Sequence, residues 1–225
     1  FCLKRADGFT SDANFMAEKM VELSNNPNLE VEVCNFGIEA TGLEINKKKV
    51  FYSNRMHNPL YRIDQIISSF AQFIKATEDK DWILKIAGRG SETEKLVQQV
   101  ERLGIADHVD FVGFLSLEEN NKNYAEATFF ISIPESDATA MSLLEAMYYK
   151  CAPILSDLPA NREWINDGET GLIVQELTAD DLSRALQLNC DLLGPINRER
   201  ILNEATFEVS TKRFTDLHYK LISND

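Results

Sequence analysis

The sequence predicts an α/β fold built on a doubly wound parallel sheet, and three observations predict it. Short β-type runs alternate with amphipathic helical runs at least five times along the chain. The β-type runs are continuously apolar, as in Phe129–Ile133, which means burial on both faces and helices on both sides of the sheet. Several helical runs open on Ser or Thr followed three positions later by an acid, a signature that satisfies the free N–H groups of a helix start.

Taken in order, Val50–Ser53 reads as the first strand of this sheet. Ile63–Thr77 after it places Ile63, Ile66, Ile67, Phe70, Phe73 and Ile74 on one helical face. Trp82–Ala87 is the next strand and ends in Gly88-Arg89-Gly90. Ser91-Glu92-Thr93-Glu94 reads as a capping box for a helix through Leu103. Val109–Val112 is a strand, and Ser116-Leu117-Glu118-Glu119 a second capping box for a helix to about Ala125. Strands at Thr128–Ile133, Pro153–Ser156 and Gly171–Val174 then alternate with helices at Ala140–Tyr149 and Pro159–Asn166. Thr178-Ala179-Asp180-Asp181 caps a helix to about Leu188, and helical segments at Pro195–Glu204 and Ser210–Ser223 finish the chain.

Residues 43–225 form the predicted domain; residues 1–42 look different. Ala6–Thr10 and Glu30–Cys34 are strand candidates around a helix at Asp12–Leu23, followed by a turn at Asn35–Glu39 and a polar stretch with Lys47–Lys49, read as solvated linker. This segment is expected to be the tail of a preceding domain plus a hinge. The Phe1-Cys2-Leu3 start, without methionine, reads as a cut inside a longer protein.

Composition narrows the function classes. The chain has 225 residues, 44% hydrophobic and 26% charged, which excludes disorder. Its 36 acidic against 23 basic residues give a formal net charge of −13, which argues against nucleic acid or an anionic membrane surface as a partner. A small anionic ligand is still allowed, because one or two placed arginines can hold a phosphate. No apolar run approaches the ~20 residues that span a bilayer, and no signal peptide is visible. The four cysteines (Cys2, Cys34, Cys151, Cys190) read as reduced thiols, and three scattered histidines make a zinc site improbable.

In an open parallel sheet, ligands bind beyond the carboxyl ends of the strands. The informative residues are therefore Asn54 and Arg55, Gly88-Arg89-Gly90, Gly113-Phe114, Pro134–Ala140, and Ser156 with Asp157. The segment after the fourth strand carries the strongest chemistry. Thr139 is a plausible N-cap, and the free N–H groups of Ala140, Met141 and Ser142 with the helix dipole would form an anion site. Asp137 and Glu145, eight positions apart, would flank such an anion and aim carboxylates at hydroxyls. Competing structural explanations exist at each position: Gly88-Arg89-Gly90 as a tight turn that needs glycine anyway, Arg62 as a solvated helix residue, Asp137 and Asp157 as caps, His57 as a loop residue. Glu145 resists such an explanation, since a lone acid among Leu143, Leu144, Ala146 and Met147 is expensive to bury unpartnered.

The set Asp137-x7-Glu145, Leu144-Glu145-Ala146-Met147, Ser156-Asp157, Glu163 and Asp167-Gly168-Glu169-Thr170-Gly171-Leu172 resembles the nucleotide-sugar half of family 4 (group 1) glycosyltransferases. The Ala87-Gly88-x-Gly90 turn, Val112-Gly113-Phe114 and Asn54-Arg55 fall in that family's order, and the resemblance extends over most of residues 35–225. It implies the C-terminal, Rossmann-like half of a GT-B fold, with residues 1–42 ending the first domain and the acceptor domain largely missing. Arg55 then takes the role of the arginine that holds the donor diphosphate. The lysine that usually follows has no clean match, its slot being occupied by Tyr61 or Arg62. Asp137, one methylene shorter than the usual acid, contacts the transferred sugar, and Glu145 grips the ribose hydroxyls. Ala138-Thr139-Ala140 stands where a glycine-containing segment meets sugar and phosphates, and alanine is costly there if φ is positive. The base-binding wall falls near Gly113-Phe114, with Gly88 and Arg89 beside it.

The resemblance further implies retaining transfer from a nucleoside-diphosphate sugar of UDP or GDP type, with Arg55, Arg62 and the helix start stabilising the leaving diphosphate without a metal or other cofactor. This fragment alone is expected to be inactive, and its full-length protein to be cytoplasmic or peripheral at the inner membrane. The rival from another class is a non-catalytic nucleotide-sugar-binding or assembly module on the same scaffold. An epimerase or a pyridoxal-type phosphorylase finds no matching histidine arrangement or Schiff-base lysine.

Overall fold

The computed structural model describes residues 6–223; the Phe1-Cys2-Leu3 start and the Cys2 thiol lie outside them. Six strands form the main sheet: β3 (Lys48–Ser53), β4 (Ile83–Ala87), β5 (Val109–Gly113), β6 (Ala127–Ser132), β7 (Ala152–Ser156) and β8 (Leu172–Val174). They lie in the order β5-β4-β3-β6-β7-β8, and every neighbouring pair is parallel. The chain winds outward from β3 to β5, returns to the middle at β6, and winds the other way to β8. The reversal between β3 and β6 leaves a crevice at their carboxyl ends, because the connections from the two strands leave on opposite sides.

Successive strand residues point to opposite faces, and both faces are covered. Phe51, Leu84, Ile86, Phe129 and Ile131 meet α2 (Ile63–Ala76), α3 (Thr93–Leu103) and α7 (Ala179–Ala185). Tyr52, Ala87 and Phe130 meet α4 (Leu117–Glu126) and α5 (Met141–Tyr148), with Trp164 of α6 (Pro159–Trp164) and Ile201 of α8 (Cys190–Glu204) behind them. The first face is anchored by an aromatic cluster in which Phe51 lies 4.9 Å from both Trp82 and Phe129 and 5.6 Å from Phe73, centroid to centroid. Each such side chain contributes on the order of 1.5–3 kcal/mol by leaving water.

The predicted elements occur, with boundary changes that have local causes. Ser116 and Thr178 form the expected capping boxes, with Glu119 and Asp181 bonding back. The box expected at Ser91 does not form. Helix α3 begins at Thr93, whose hydroxyl bonds Gly90 on both its N–H and carbonyl, and the Glu92 N–H is taken by the His57 carbonyl at 2.9 Å. Thr139 does not cap α5; the N-cap is Ala140. Helix α8 starts five residues before the expected Pro195, where the Asn189 side chain accepts from the Leu192 N–H, and Gly194 packs against the Lys150 backbone. Lys47–Lys49 is not a solvated linker: Lys47 donates to the Tyr124 and Ala127 carbonyls, Lys48 pairs with Glu126, and Lys49 with Asp79 and Asp81.

Before the sheet, β1 (Thr10–Ser11) and β2 (Glu32–Val33) form a parallel pair joined by α1 (Asn14–Ser24). This segment is tied to the last helix, α9 (Phe207–Ile222): Ile38 and Ala205–Phe207 exchange main-chain bonds at 2.9 Å, and the Ser210 hydroxyl donates to the Asn35 carbonyl. The close crossing requires Gly37, where a Cβ would fall 2.5 Å from the Phe207 Cα. No helix among the described residues is long and apolar enough to cross a membrane.

Candidate functional site

The crevice between β3 and β6 is built first from backbone. The loop after β3 lies against the turn after β4, and both glycines of that turn are there for contact. A Cβ on Gly88, at φ 110°, would sit 2.6 Å from the Arg55 carbonyl oxygen, and one on Gly90 only 2.2 Å from that of His57. His57, 1% exposed, locks the two together: its N–H donates to the Arg89 carbonyl and its Nδ1 meets the Thr93 hydroxyl at 2.9 Å. Burial lowers the imidazole pKa, so this ring is held neutral.

The fixed loop delivers Arg55. Its guanidinium stacks 4.4 Å over the Tyr61 ring, donates from Nη1 to the Ser142 hydroxyl at 2.7 Å, and pairs through Nη2 with Asp137 at 2.5 Å. The Arg55 side chain is only 12% exposed, so its charge is poorly screened and its direction is set on three sides. Ser142 lies in the first turn of α5. No side chain caps that helix, so its leading N–H groups at Met141 and Ser142 lack intrahelical partners and face the crevice with the positive end of the dipole. The preceding Ala138-Thr139-Ala140 segment contains no residue with positive φ, and the absence of glycine costs no strain.

Glu145 stands one turn further along the same face of α5 as Ser142. Asn120 of α4 donates to its carboxylate at 3.4 Å. The same Asn120 accepts from the Tyr52 hydroxyl at 2.5 Å and from Asn54, which also donates to the Tyr124 hydroxyl; Tyr124 in turn donates to the Ser142 carbonyl. A continuous polar network thus joins the Arg55 loop to Glu145. Burial raises the Glu145 pKa, opposed by the polar groups of Tyr124 and Asn120 beside it. Burial and the nearby Glu145 charge also push Tyr52 and Tyr124 up, so both remain hydrogen-bond donors at neutral pH. Beside this network opens a cavity of about 310 Å³ lined by Asn54, Gly88, Arg89, Phe114, Leu115 and Asn120. Gly113, at φ 72°, holds its rim by accepting from the Gly88 N–H, and Phe114 stands 78% exposed at the mouth.

The structure therefore brings Arg55, Asp137, Ser142 and Glu145 to one crevice, with Gly88 and Phe114 lining the adjoining cavity and Gly113 bonded to Gly88 beside it, while the Met141 side chain lines a separate apolar groove with Phe36, Phe207 and Phe214. Ala140 and Thr139 are buried at the helix entrance, and Thr139 bonds Asp12. Arg62 is not brought there. Its backbone is left-handed (φ 49°), and its guanidinium donates to the Ile133 and Pro134 carbonyls at 2.6 and 3.1 Å, facing a groove between α2 and α3. Of the two residues offered for the missing lysine's slot, Tyr61 is the one that meets Arg55, by stacking and not by charge; sequence reasoning missed Asn120 and Tyr124 as members of the site. Asn120 and Tyr124 are spaced one helical turn apart on α4, the signal that could have paired them. Among the described residues no group of three or more His, Cys, Asp or Glu could hold a metal ion.

Comparison with known proteins identifies the family and the fold. Residues 38–202 match the family described as glycosyl transferases group 1. Alpha-monoglucosyldiacylglycerol synthase of Streptococcus pneumoniae is 29% identical over 152 residues, which are 68% of this chain and 33% of that protein. The chain thus spans about a third of that relative. Among solved structures, sucrose-phosphate synthase of Thermosynechococcus elongatus superposes with a TM-score of 0.83 at 17% identity, over 99% of this chain and 60% of that one. A mutant TarM of S. aureus, in complex with Fondaparinux, alpha-GlcNAc-glycerol and UDP, gives 0.82 at 17% identity, over 96% and 44%. At such identities the structural likeness is one of fold, that of the GT-B glycosyltransferases, of which this chain covers about half. The family match, which covers most of the chain, carries the assignment: this chain belongs to the group 1 glycosyltransferases.

Proposed function

We propose that this unit is the donor domain of a glycosyltransferase and binds a nucleoside-diphosphate sugar of UDP or GDP type. The observation that carries the reading is the convergence of Arg55 with the uncapped start of α5, where its Nη1 meets Ser142 at 2.7 Å at the reversal point of the sheet. The base enters the cavity beside Gly88, Gly113 and Phe114. Glu145 accepts the ribose hydroxyls, supported by Asn120. The diphosphate lies across Arg55 and the N–H groups of Met141 and Ser142, with the Thr139–Ala140 backbone next to it, and Asp137 faces the transferred sugar. The UDP in the TarM complex makes this ligand class reasonable.

As the glycosidic bond breaks, negative charge develops on the departing phosphate oxygen. A fixed guanidinium and a helix start stabilise that charge without reorganising, and losing one such donor costs about 3–4 kcal/mol of transition-state stabilisation. Metal-independent transfer with retention at the anomeric carbon belongs to this proposal. So do an acceptor domain preceding this one, with residues 1–42 as its end and the hinge, an isolated unit that binds donor without transferring, and a cytoplasmic or peripheral inner-membrane location for the whole protein.

A second reading, a module that binds nucleotide sugar without transferring it, is favoured by one observation. The Arg62 guanidinium is taken up by two carbonyls and Arg55 is paired with Asp137, so one cation stands where the family resemblance implies two. Calorimetric titration with UDP-, GDP- and ADP-sugars decides between them. Binding to none of these by folded protein rejects the donor reading. Full-length protein that binds one but neither hydrolyses nor transfers its sugar supports the second.

A further inference from the structure

The loop from Pro134 to Ala140 carries Asp137 into the crevice and leads into α5. At its beginning it is held from the β3 side, by Arg62 on the Ile133 and Pro134 carbonyls and by the Glu135 N–H donating to Leu60. At its end the holding group comes from outside the six-stranded unit. The Thr139 hydroxyl donates to the Asp12 carbonyl at 2.9 Å, and the Thr139 N–H donates to the Asp12 carboxylate at 3.3 Å. Thr139 is 7% exposed, so water cannot readily replace these partners. Asp12 follows β1 directly, and two and three residues later the chain is pinned again: the Glu163 carboxylate of α6 accepts from the N–H groups of Asn14 at 2.9 Å and Phe15 at 2.8 Å, and from the Asn14 side chain. The segment Asp12–Phe15 is thereby fastened to the six-stranded unit at two points, one of them the entrance to α5.

We infer that Asp12 is a positioning residue for the donor loop. Its carboxylate fixes the Thr139 peptide, and with it the direction of Asp137 and of the leading N–H groups of α5. The placement of the segment before the hinge then governs the diphosphate–sugar end of the crevice. The base end stands on the loops after β3, β4 and β5, which Asp12 does not touch. The consequence for ligands rests on the donor reading above; the mechanical link from Asp12 to Thr139 does not.

The test uses full-length protein carrying Asp12→Ala or Asp12→Asn. Hydrogen exchange at the peptides covering residues 134–141 should speed by about tenfold in Asp12→Ala, the loss of roughly one charged hydrogen bond. Asp12→Asn, which keeps an acceptor oxygen for the Thr139 N–H, should restore slow exchange. In calorimetry with UDP-glucose or GDP-mannose, Asp12→Ala should weaken binding by a comparable factor while affinity for uridine or guanosine stays at the wild-type value. Unchanged exchange in Asp12→Ala overturns the inference. So do equal losses for nucleoside and nucleotide sugar, which report general loosening, and tighter sugar-nucleotide binding, which reports a competing anion. If wild-type protein binds neither donor, the donor reading falls and the exchange result alone judges the link.

Discussion

At Arg55 three neighbours decide what a guanidinium can do. Tyr61 fixes its plane, Ser142 takes one N–H, and Asp137 takes another, leaving the remaining donors of the fork for a ligand. Arg55→Lys keeps the charge but loses the plane and the fork, so calorimetry should find weakened binding of the nucleoside diphosphate in both Arg55→Lys and Arg55→Ala. The alanine variant should lose about 2 kcal/mol, close to thirtyfold in affinity; wild-type affinity there would remove Arg55 from the site. Glu145 makes a different kind of prediction. Its folded pKa is raised by burial, so the folded state holds that proton more tightly than the unfolded chain does. Its contribution to stability is greatest below the ordinary carboxylate range and is lost as pH rises through the raised folded value. Melting temperature of the wild type relative to Glu145→Gln should therefore fall as pH rises across that window; a difference that grows with pH would contradict the burial argument. Glu145 was legible in the sequence because an acid in an apolar helix turn needs a reason. Tyr61 was legible only as an occupant of the missing lysine's slot; its stacking on Arg55 was not, because it comes with a left-handed turn at Arg62 that no local pattern announces.

Among the elements, capping separates local chemistry from tertiary override. Ser116 and Thr178 accept from the N–H three residues on, at 3.3 Å in both cases, and their partners bond back. Ser116→Ala and Thr178→Ala should each lower stability by about 1 kcal/mol in denaturant unfolding. Ser91→Ala, at a motif with the same appearance in the sequence, should leave stability unchanged, since α3 is not capped there. Thr93→Ala should cost more than Ser91→Ala, because that hydroxyl bonds Gly90 and His57. Equal effects at Ser91 and Ser116 would contradict the observed boundary of α3. The capping signature was readable at Ser116 and Thr178, where the cap and the third helical residue pair with each other. It failed at Ser91 because the loop carrying His57 claims the Glu92 N–H, a contact between segments some 35 residues apart. Helix α8 escaped for a related reason: proline marks a common helix start, but here the packing of Gly194 on Lys150 extends the helix ahead of it.

For the whole molecule, the parallel doubly wound sheet was legible because continuous apolar strands and intervening amphipathic helices admit few other arrangements. That the crevice lies between the loops after β3 and β6 follows from the strand order, which periodicity does not encode. Nor does the sequence encode how the segment before Ile38 attaches. It is held at Asp12 and Glu163 on one side and at the crossing of Gly37–Ile38 with Ala205–Phe207 on the other. This second attachment is a backbone-on-backbone contact: a Cβ at Gly37 would lie 2.5 to 2.6 Å from the Phe207 Cα and N and the Thr206 oxygen. None of these atoms can rotate away, so Gly37→Ala should separate the two strands of chain at a cost of about 1–3 kcal/mol. The effect should be strongest at the crossing, because the aromatic cluster around Phe51 is buried under α2 on the opposite face of the sheet from Ile38 and Ala205. Hydrogen exchange in Gly37→Ala should rise over α9 and the Asn35–Ile38 stretch while β3, β4 and β6 keep their protection. A uniform rise reaching β3 and β6 would show that the segment and the sheet unfold as one unit, and that the attachment is part of the core instead of a hinge laid over it.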